Sequence, residues 1–332
     1  MATSRVPLID IAGFETGDAA ARRRIAGQVA EAVEGIGFFS VAGHGIDPAL
    51  MRRMAGRFAA FFDLAEPAKR RFVNPARNIN RGYVPLGEEF VASSHGAEAP
   101  PDYREALAFG RVDLPDDPYY RRPEAGYAYE PNIWPDGVSG LGETVRAYYA
   151  ALEGLNRRLL GIFAEALGIE TRYFLDRFDR HASVLRAINY PDQDRPPAPG
   201  QLRCGAHSDF GTHTLLQIDD APGGLQALAR DGSWIDVRPP AGSFVVNIGD
   251  LMMVWTNDRW LSNLHRVVNP PAGAGGGTRR QSIAFFVQPN YDARIACIPT
   301  CVVEGEAPRH APVTAWEYRH AKLSRTAPAR NA

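Results

Sequence analysis

From about residue 183 the chain breaks into short β-like runs divided by turn signals: SVLRAINY, THTLLQI, GLQALA, WIDV, SFVVNI, LMMVW, HRVV, RQSIAFFVQP and RIACIP. Strands this short and this frequent point to a sandwich or jelly roll. APGG (221–224) and AGAGGG (272–277) read as hairpin loops. No internal repeat or low-complexity linker interrupts the chain, so residues 1–332 are expected to form a single domain with its β-core at 183–300.

The part before the core, residues 1–180, reads as a mostly helical support region. AAARRRIAGQVAEAVEGIG (19–37) spaces its apolar residues by three and four, and Gly35 and Gly37 can end it. FFSVAGHGI reads as a short strand and turn, and PALMRRMAGRFAAFFDL as an amphipathic helix with Pro48 in its first turn. PAKRRF (67–72) is a basic helical turn. Residues 74–136 are rich in Pro, Gly, Tyr and Asn, a long loop region of the kind that is often functional. The longest helix is expected over 140–169, with Gly168 as its stop.

Charge and composition remove several classes of partner. A net charge of −1 gives no electrostatic footprint for nucleic acid or an anionic membrane. No run approaches the roughly 18 apolar residues of a spanning helix. MATSRVPLIDIAGF lacks the basic and apolar pattern of a secretory leader. The 3 cysteines, Cys204, Cys297 and Cys301, are poorly spaced for zinc and read as unpaired thiols, which fits a reducing cytoplasm.

The chemistry concentrates in GAHSDFGTHTLLQID (205–219), which offers His207, His213, Asp209 and Asp219. Residues two apart in a strand share a face, so His207 and Asp209 present an imidazole and a carboxylate together. A third ligand must come from another strand, and His265 opens HRVV. Two histidines and a carboxylate leave three positions of an octahedral metal open, as non-haem Fe(II) oxygenases require for O₂ and a bidentate co-substrate. His213 in place of His207, or zinc with an activated water, fits the same composition. In TRRQSIAFF, Arg280 and Ser282 share one face and Arg279 and Gln281 the other. A surface salt bridge is the plain reading of Arg280. Beside the apolar run IAFFV, however, an inward arginine needs an anion, and an arginine fork with a hydroxyl suits a carboxylate.

HSD (207–209), NLHRV around His265 and RQS (280–282) together resemble the isopenicillin N synthase-like branch of the Fe(II)/2-oxoglutarate-dependent dioxygenases. VPLIDIAGF, GIGFFSVAGHGI, RGYVP, PNIWP, GGLQAL, GDLMMVWTNDRWLSNLHRV and the terminal YRHAKLSRT resemble further landmarks of that family in order. The resemblance implies a mainly β protein: a double-stranded β-helix (jelly roll, cupin-like) core with flanking helices, a helical N-terminal half and a C-terminal helix over 308–326. It carries His207, Asp209 and His265 over as iron ligands, leaves His213 aside, and makes Arg280 and Ser282, assisted by Tyr190, the clamp for the C5 carboxylate of 2-oxoglutarate. Many relatives carry asparagine where this chain has Ile188, and the loop PPAGAGGGT is longer than usual.

The implied activity consumes 2-oxoglutarate and O₂, releases succinate and CO₂, and hydroxylates, desaturates or cyclises a small molecule. A 2-oxoglutarate-independent iron oxidase of the same family is the alternative. A zinc hydrolase would leave Arg280 and Ser282 unexplained, and the complete triad argues against a non-catalytic barrel. Substrate contacts are expected from the loop region, with Arg81, Tyr83, Arg104, Phe109 and Tyr129 as candidates. The expected partner is a small molecule, with no nucleic acid and no membrane, and the expected state is a monomer or weak homodimer.

Overall fold

The computed structural model describes residues 5–76, 80–92, 100–126, 128–193, 196–271 and 277–326. The strands are β1 (Leu8–Asp10), β2 (Phe38–Ala42), β3 (Gly82–Val84), β4 (Glu105–Phe109), β5 (Val184–Tyr190) and β6 (Cys204–His207). They continue as β7 (His213–Ile218), β8 (Gly224–Leu228), β9 (Trp234–Asp236), β10 (Phe244–Ile248), β11 (His265–Val268) and β12 (Arg280–Val287). They build an 8-stranded sheet in the order β1-β2-β10-β7-β12-β5-β4-β3 and a 4-stranded sheet in the order β6-β11-β8-β9.

Alternation along β5 and its neighbours separates two cores. Leu185 and Ala187 join Ile283 and Phe285 in the core beneath the helices, whereas Ile188 and Tyr190 pack with Cys204, Leu225, Ala227 and Val267 from the smaller sheet. The second core is therefore the space between the sheets, as a jelly roll requires. The helices are α1 (Gly13–Thr16), α2 (Ala19–Gly35), α3 (Pro48–Phe62), α4 (Glu66–Arg70), α5 (Leu141–Leu167), α6 (Arg172–Phe178), α7 (Asp250–Trp255) and α8 (Ala315–Thr326). Asp18 caps α2 by accepting from the Ala21 N–H at 2.8 Å, and Asp47 caps α3 just ahead of Pro48. Gly168 ends α5 at φ 66°, a left-handed stop that glycine adopts without strain.

Several expectations change. The region before residue 180 is more than support, because β1 to β4 are strands of the larger sheet. β3 and β4 lie inside the stretch 74–136 read as loop. LMMVW is the helix α7, buried at Leu251, Met252, Val254 and Trp255, so its apolar run carries no strand alternation. RIACIP contributes only the two-residue strand Arg294–Ile295, paired with Val313–Thr314. The C-terminal helix begins at Ala315 rather than 308. Of the expected glycine loop at 272–277, residues 272–276 lie outside the described residues.

Candidate metal centre

β6 and β11 are antiparallel neighbours whose register sets His265 opposite His207, and the two rings stand 4.3 Å apart. Each imidazole is oriented in the same way. Nδ1 of His207 meets the Gly205 carbonyl at 2.9 Å, and Nδ1 of His265 meets the Asn263 carbonyl at 3.2 Å. A proton held on Nδ1 leaves the Nε2 lone pair free, which is how metal-binding histidines are held. Both Nε2 atoms converge on Asp209 Oδ1, at 3.9 Å from His207 and 3.8 Å from His265. The ligand atoms of His207, Asp209 and His265 all lie within 4.8 Å of one another.

Asp209 reaches this point from a loop. β6 ends at His207, and the turn after it is pinned by α7, where the Asp250 N–H donates to the Asp209 carbonyl at 2.7 Å and the Leu251 N–H to the Gly211 carbonyl at 3.0 Å. The second carboxylate oxygen, Oδ2, accepts from Thr214 Oγ1 at 2.6 Å and Asn247 Nδ2 at 2.7 Å, which leaves Oδ1 for a metal. Burial alone would raise the Asp209 carboxyl, but the His265 and His207 imidazoles and these two hydrogen bonds outweigh it and hold it below the usual range. Burial, reinforced by His207, pushes His265 down to about 4, so it offers the neutral imidazole that ligation requires.

The other two candidates in the motif face elsewhere. His213 points to the helix side of the sheet against Phe163, at 5.1 Å, and burial lowers it to about 3. Asp219 accepts the backbone N–H of Gln281 at 2.5 Å just beyond the end of β7.

Two buried arginines, Arg280 and Arg203, lie between the sheets beside Tyr190. Arg280 stands opposite Tyr190 across β12 and β5, its guanidinium 5.6 Å from the ring, and Ser282 shares its face. Arg280 is 2% exposed, yet its Nη1 has no hydrogen-bond partner and no carboxylate pairs with it among the described residues. Arg203, which sequence reading missed, lies beside Tyr190 but commits its guanidinium to the carbonyls of Pro222 and Thr278. Arg280 is thus a buried cation beside a hydroxyl, with an N–H that no described residue meets.

The five loop candidates separate. Arg81 is spent on the carbonyls of Asn80, Ala128 and Glu130 at 2.8–3.1 Å. Tyr83 bonds Glu105 at 2.5 Å and belongs with Phe109 to the core under the helices, where Phe109 packs 5.0 Å from Trp134. Tyr129 sits in a tyrosine cluster with Tyr119 and Tyr291 and donates to the Arg180 carbonyl. These four side chains face away from the metal cluster because each satisfies a structural partner on the other side of the sheet or in the loop. Arg104 alone of the five points to the cluster: its Nη1 lies 3.3 Å from Cys204 Sγ, which is 3.7 Å from Nδ1 of His207.

Two residues outside the candidate set join Arg104. Glu89 Oε2 lies 3.2 Å from Arg104 Nη2, and Glu89 Oε1 accepts from Arg186 at 2.5 Å. Burial would raise Glu89, but Arg186 and Arg104 outweigh it and hold the carboxyl at about 2. Arg186 was readable in SVLRAINY, since period two puts it on the face of Ile188 and Tyr190.

Comparisons with known proteins agree with this geometry. Residues 6–137 match the family profile described as non-haem dioxygenase in morphine synthesis N-terminal, and residues 181–289 match the 2OG-Fe(II) oxygenase superfamily. The 2-oxoglutarate-Fe(II) type oxidoreductase hxnY of Emericella nidulans is 35% identical over 95% of this chain and 88% of its own. Validamycin A dioxygenase of Streptomyces hygroscopicus subsp. limoneus is 34% identical over 86% of this chain and 77% of its own. Among solved structures, a full-length Neurospora crassa protein in complex with alpha-KG superposes with a TM-score of 0.84 at 30% identity, covering 97% of this chain and 96% of that one. With both halves of the chain matched, and with the His-Asp-His cluster in place, the protein belongs to the 2OG-Fe(II) oxygenase superfamily and is an Fe(II)- and 2-oxoglutarate-dependent oxygenase.

Proposed function

We propose that His207, Asp209 and His265 hold the Fe(II), that Arg280 and Ser282 with Tyr190 receive the C5 carboxylate of 2-oxoglutarate, and that the enzyme hydroxylates a small molecule. The observation that carries the reading is the buried Arg280 Nη1 without a partner, on the inner face of the barrel opposite Tyr190. The bound iron supplies O₂ activation coupled to oxidative decarboxylation of 2-oxoglutarate to succinate and CO₂, chemistry no side chain can provide.

The side chains do the rest. Two neutral imidazoles and one carboxylate leave a divalent ion with net positive charge, which together with Arg280 and Arg203 favours a dianionic co-substrate. Tyr190, buried so deeply that its hydroxyl is raised above its ordinary value, stays protonated and can donate to a carboxylate. Ile188, Leu225, Ala227 and Val267 keep the space between the sheets apolar and exclude water.

The Neurospora crassa protein has also been solved in complex with alpha-KG and thymine, which supports a small molecule as the oxidised partner here. Cys204, Cys297 and Cys301 are all unpaired, which fits a reducing compartment and supports a cytoplasmic reading. The test is 2-oxoglutarate affinity in an Arg280→Met variant, which keeps the bulk and removes the cation. A loss of about 100-fold with Fe(II) affinity unchanged is expected from a buried charge-assisted pair; unchanged co-substrate affinity overturns the assignment.

A further inference from the structure

The barrel wall beside His207 carries a charged network that iron and co-substrate leave unused. Arg186 lies on the inner face of β5 with alanines on both flanking strands, Ala108 on β4 and Ala284 on β12. Small neighbours leave room over a long side chain on a sheet. Arg186 is only 9% exposed and donates from Nη2 to Glu89 Oε1. Glu89 faces Arg104, and Arg104 Nη2 lies 3.5 Å from Asp102 Oδ2. Two guanidinium groups and two carboxylates close the charge of this wall.

Its hydrogen bonding is not closed. Glu89 Oε2, Arg186 Nε and Arg104 Nε are buried atoms without a hydrogen-bond partner among the described residues. Each such group costs about 1–3 kcal/mol while unmet. A carboxylate placed here would be repelled by Glu89 and an ammonium by Arg186, so an ion gains little from a wall already neutral. What remains on offer is one acceptor, Glu89 Oε2, which faces Arg104 Nη2 at 3.2 Å, and two donors, the Nε atoms of Arg186 and Arg104, of which Arg186 stands beside the acceptor through its bond to Oε1. Phe286, on the inner face of β12 two residues beyond Ala284 and partly exposed, adds a flat apolar surface next to them.

We infer that this wall selects the substrate, and that the substrate class is an uncharged ring carrying a cis amide, a lactam or cyclic imide. Glu89 accepts from the ring N–H, and Arg186 donates to the adjacent C=O. The inference rests on the oxygenase reading above only in taking this barrel as the place where substrate is oxidised.

Binding is measured by calorimetry under anaerobic conditions on protein loaded with Fe(II) and 2-oxoglutarate, with the visible band of the iron–co-substrate complex recorded on the same sample. The probes are 2-pyridone and δ-valerolactam, against N-methyl-2-pyridone, benzoate and benzylamine. At least one lactam is expected to bind about tenfold or more tighter than all three controls, the worth of one hydrogen bond. Arg186→Lys, which keeps the charge and removes the Nε donor, is expected to lose about tenfold for that lactam with the band unchanged. Should Arg186→Lys fail to fold, Glu89→Gln replaces it, because the neutral amide weakens the acceptor for the ring N–H while keeping its shape. Failure of both lactams to bind, a control binding as tightly, or unchanged lactam affinity in the folded variant overturns the inference while the band persists. A missing band in the wild type instead sinks the oxygenase reading itself.

Discussion

Asp209 has one oxygen left for a metal because the other is committed. Thr214 on β7 and Asn247 on β10 are register partners on the larger sheet, and both donate to Oδ2, at 2.6 Å and 2.7 Å. Asp209 itself belongs to the loop leaving the smaller sheet, so these bonds fix the carboxylate across the gap between the sheets. Thr214→Val removes the hydroxyl and keeps the shape. The loss is one hydrogen bond to a charged acceptor, about 1.5–3 kcal/mol. Part of it falls on the metal-free fold, since the carboxylate loses its donor in either state. The share that falls on the metal is expected as roughly 10- to 100-fold weaker Fe(II) binding, the range for groups that orient metal ligands. Asn247→Ala is expected to act alike. The double variant is expected to lose more than the two single losses together, because each single variant still leaves Oδ2 one donor. The assay is an anaerobic Fe(II) titration in the presence of saturating 2-oxoglutarate. Fe(II) affinity within about twofold of wild type in both single variants, a difference of less than about 0.5 kcal/mol, would refute the reasoning.

Three other outcomes follow from groups away from the metal. Burial holds His213 near 3, against about 6.5 in an unfolded chain, so between these values the unfolded state binds a proton that the folded state lacks. Stability therefore falls as pH drops through that window, and His213→Leu is expected to flatten the fall of melting temperature with pH, leaving the share due to His265; an unchanged slope contradicts this. Glu105→Gln leaves Lys69, 9% exposed, with a neutral partner at 2.7 Å and only the more distant Glu66 for compensation. The expected loss is about 3 kcal/mol in denaturant unfolding, with the iron–co-substrate band untouched. Tyr83→Phe removes the hydroxyl that bonds Glu105 and is expected to lower stability by about 1–3 kcal/mol with substrate KM unchanged; a selective rise in KM would return Tyr83 to the substrate site.

The residues of the site were legible before their arrangement was. His207 stood out by its spacing two residues before Asp209 and His265 by opening HRVV, but their direct opposition is a matter of strand register, which no local pattern specifies. Asp209 was chosen by strand parity, yet it arrives through a turn that α7 pins, and the five apolar letters of LMMVW cannot distinguish a fully buried helix from a strand. β4 was hidden for a related reason: Glu105 is buried on its helix-facing side against Lys69, so a charge occupies an interior position and breaks the alternation. The loop aromatics misled because an aromatic in a polar loop reads the same whether it lines a site or fills a core. Tyr83, Phe109 and Tyr129 fill cores. The face of Arg186 follows from parity in SVLRAINY, but a single arginine among apolar letters gives no sign of the glutamate that approaches it from residue 89.

The most direct test of iron held by His207, Asp209 and His265 with 2-oxoglutarate anchored on Arg280 is anaerobic reconstitution with both, read by visible absorption and then by succinate release on admitting air. The wild type is expected to show the charge-transfer band and release succinate, Asp209→Ala to bind no iron, and Arg280→Ala to bind iron without the band. Fe(II) bound by the wild type with neither band nor succinate, or a full band in Arg280→Ala, contradicts that assignment.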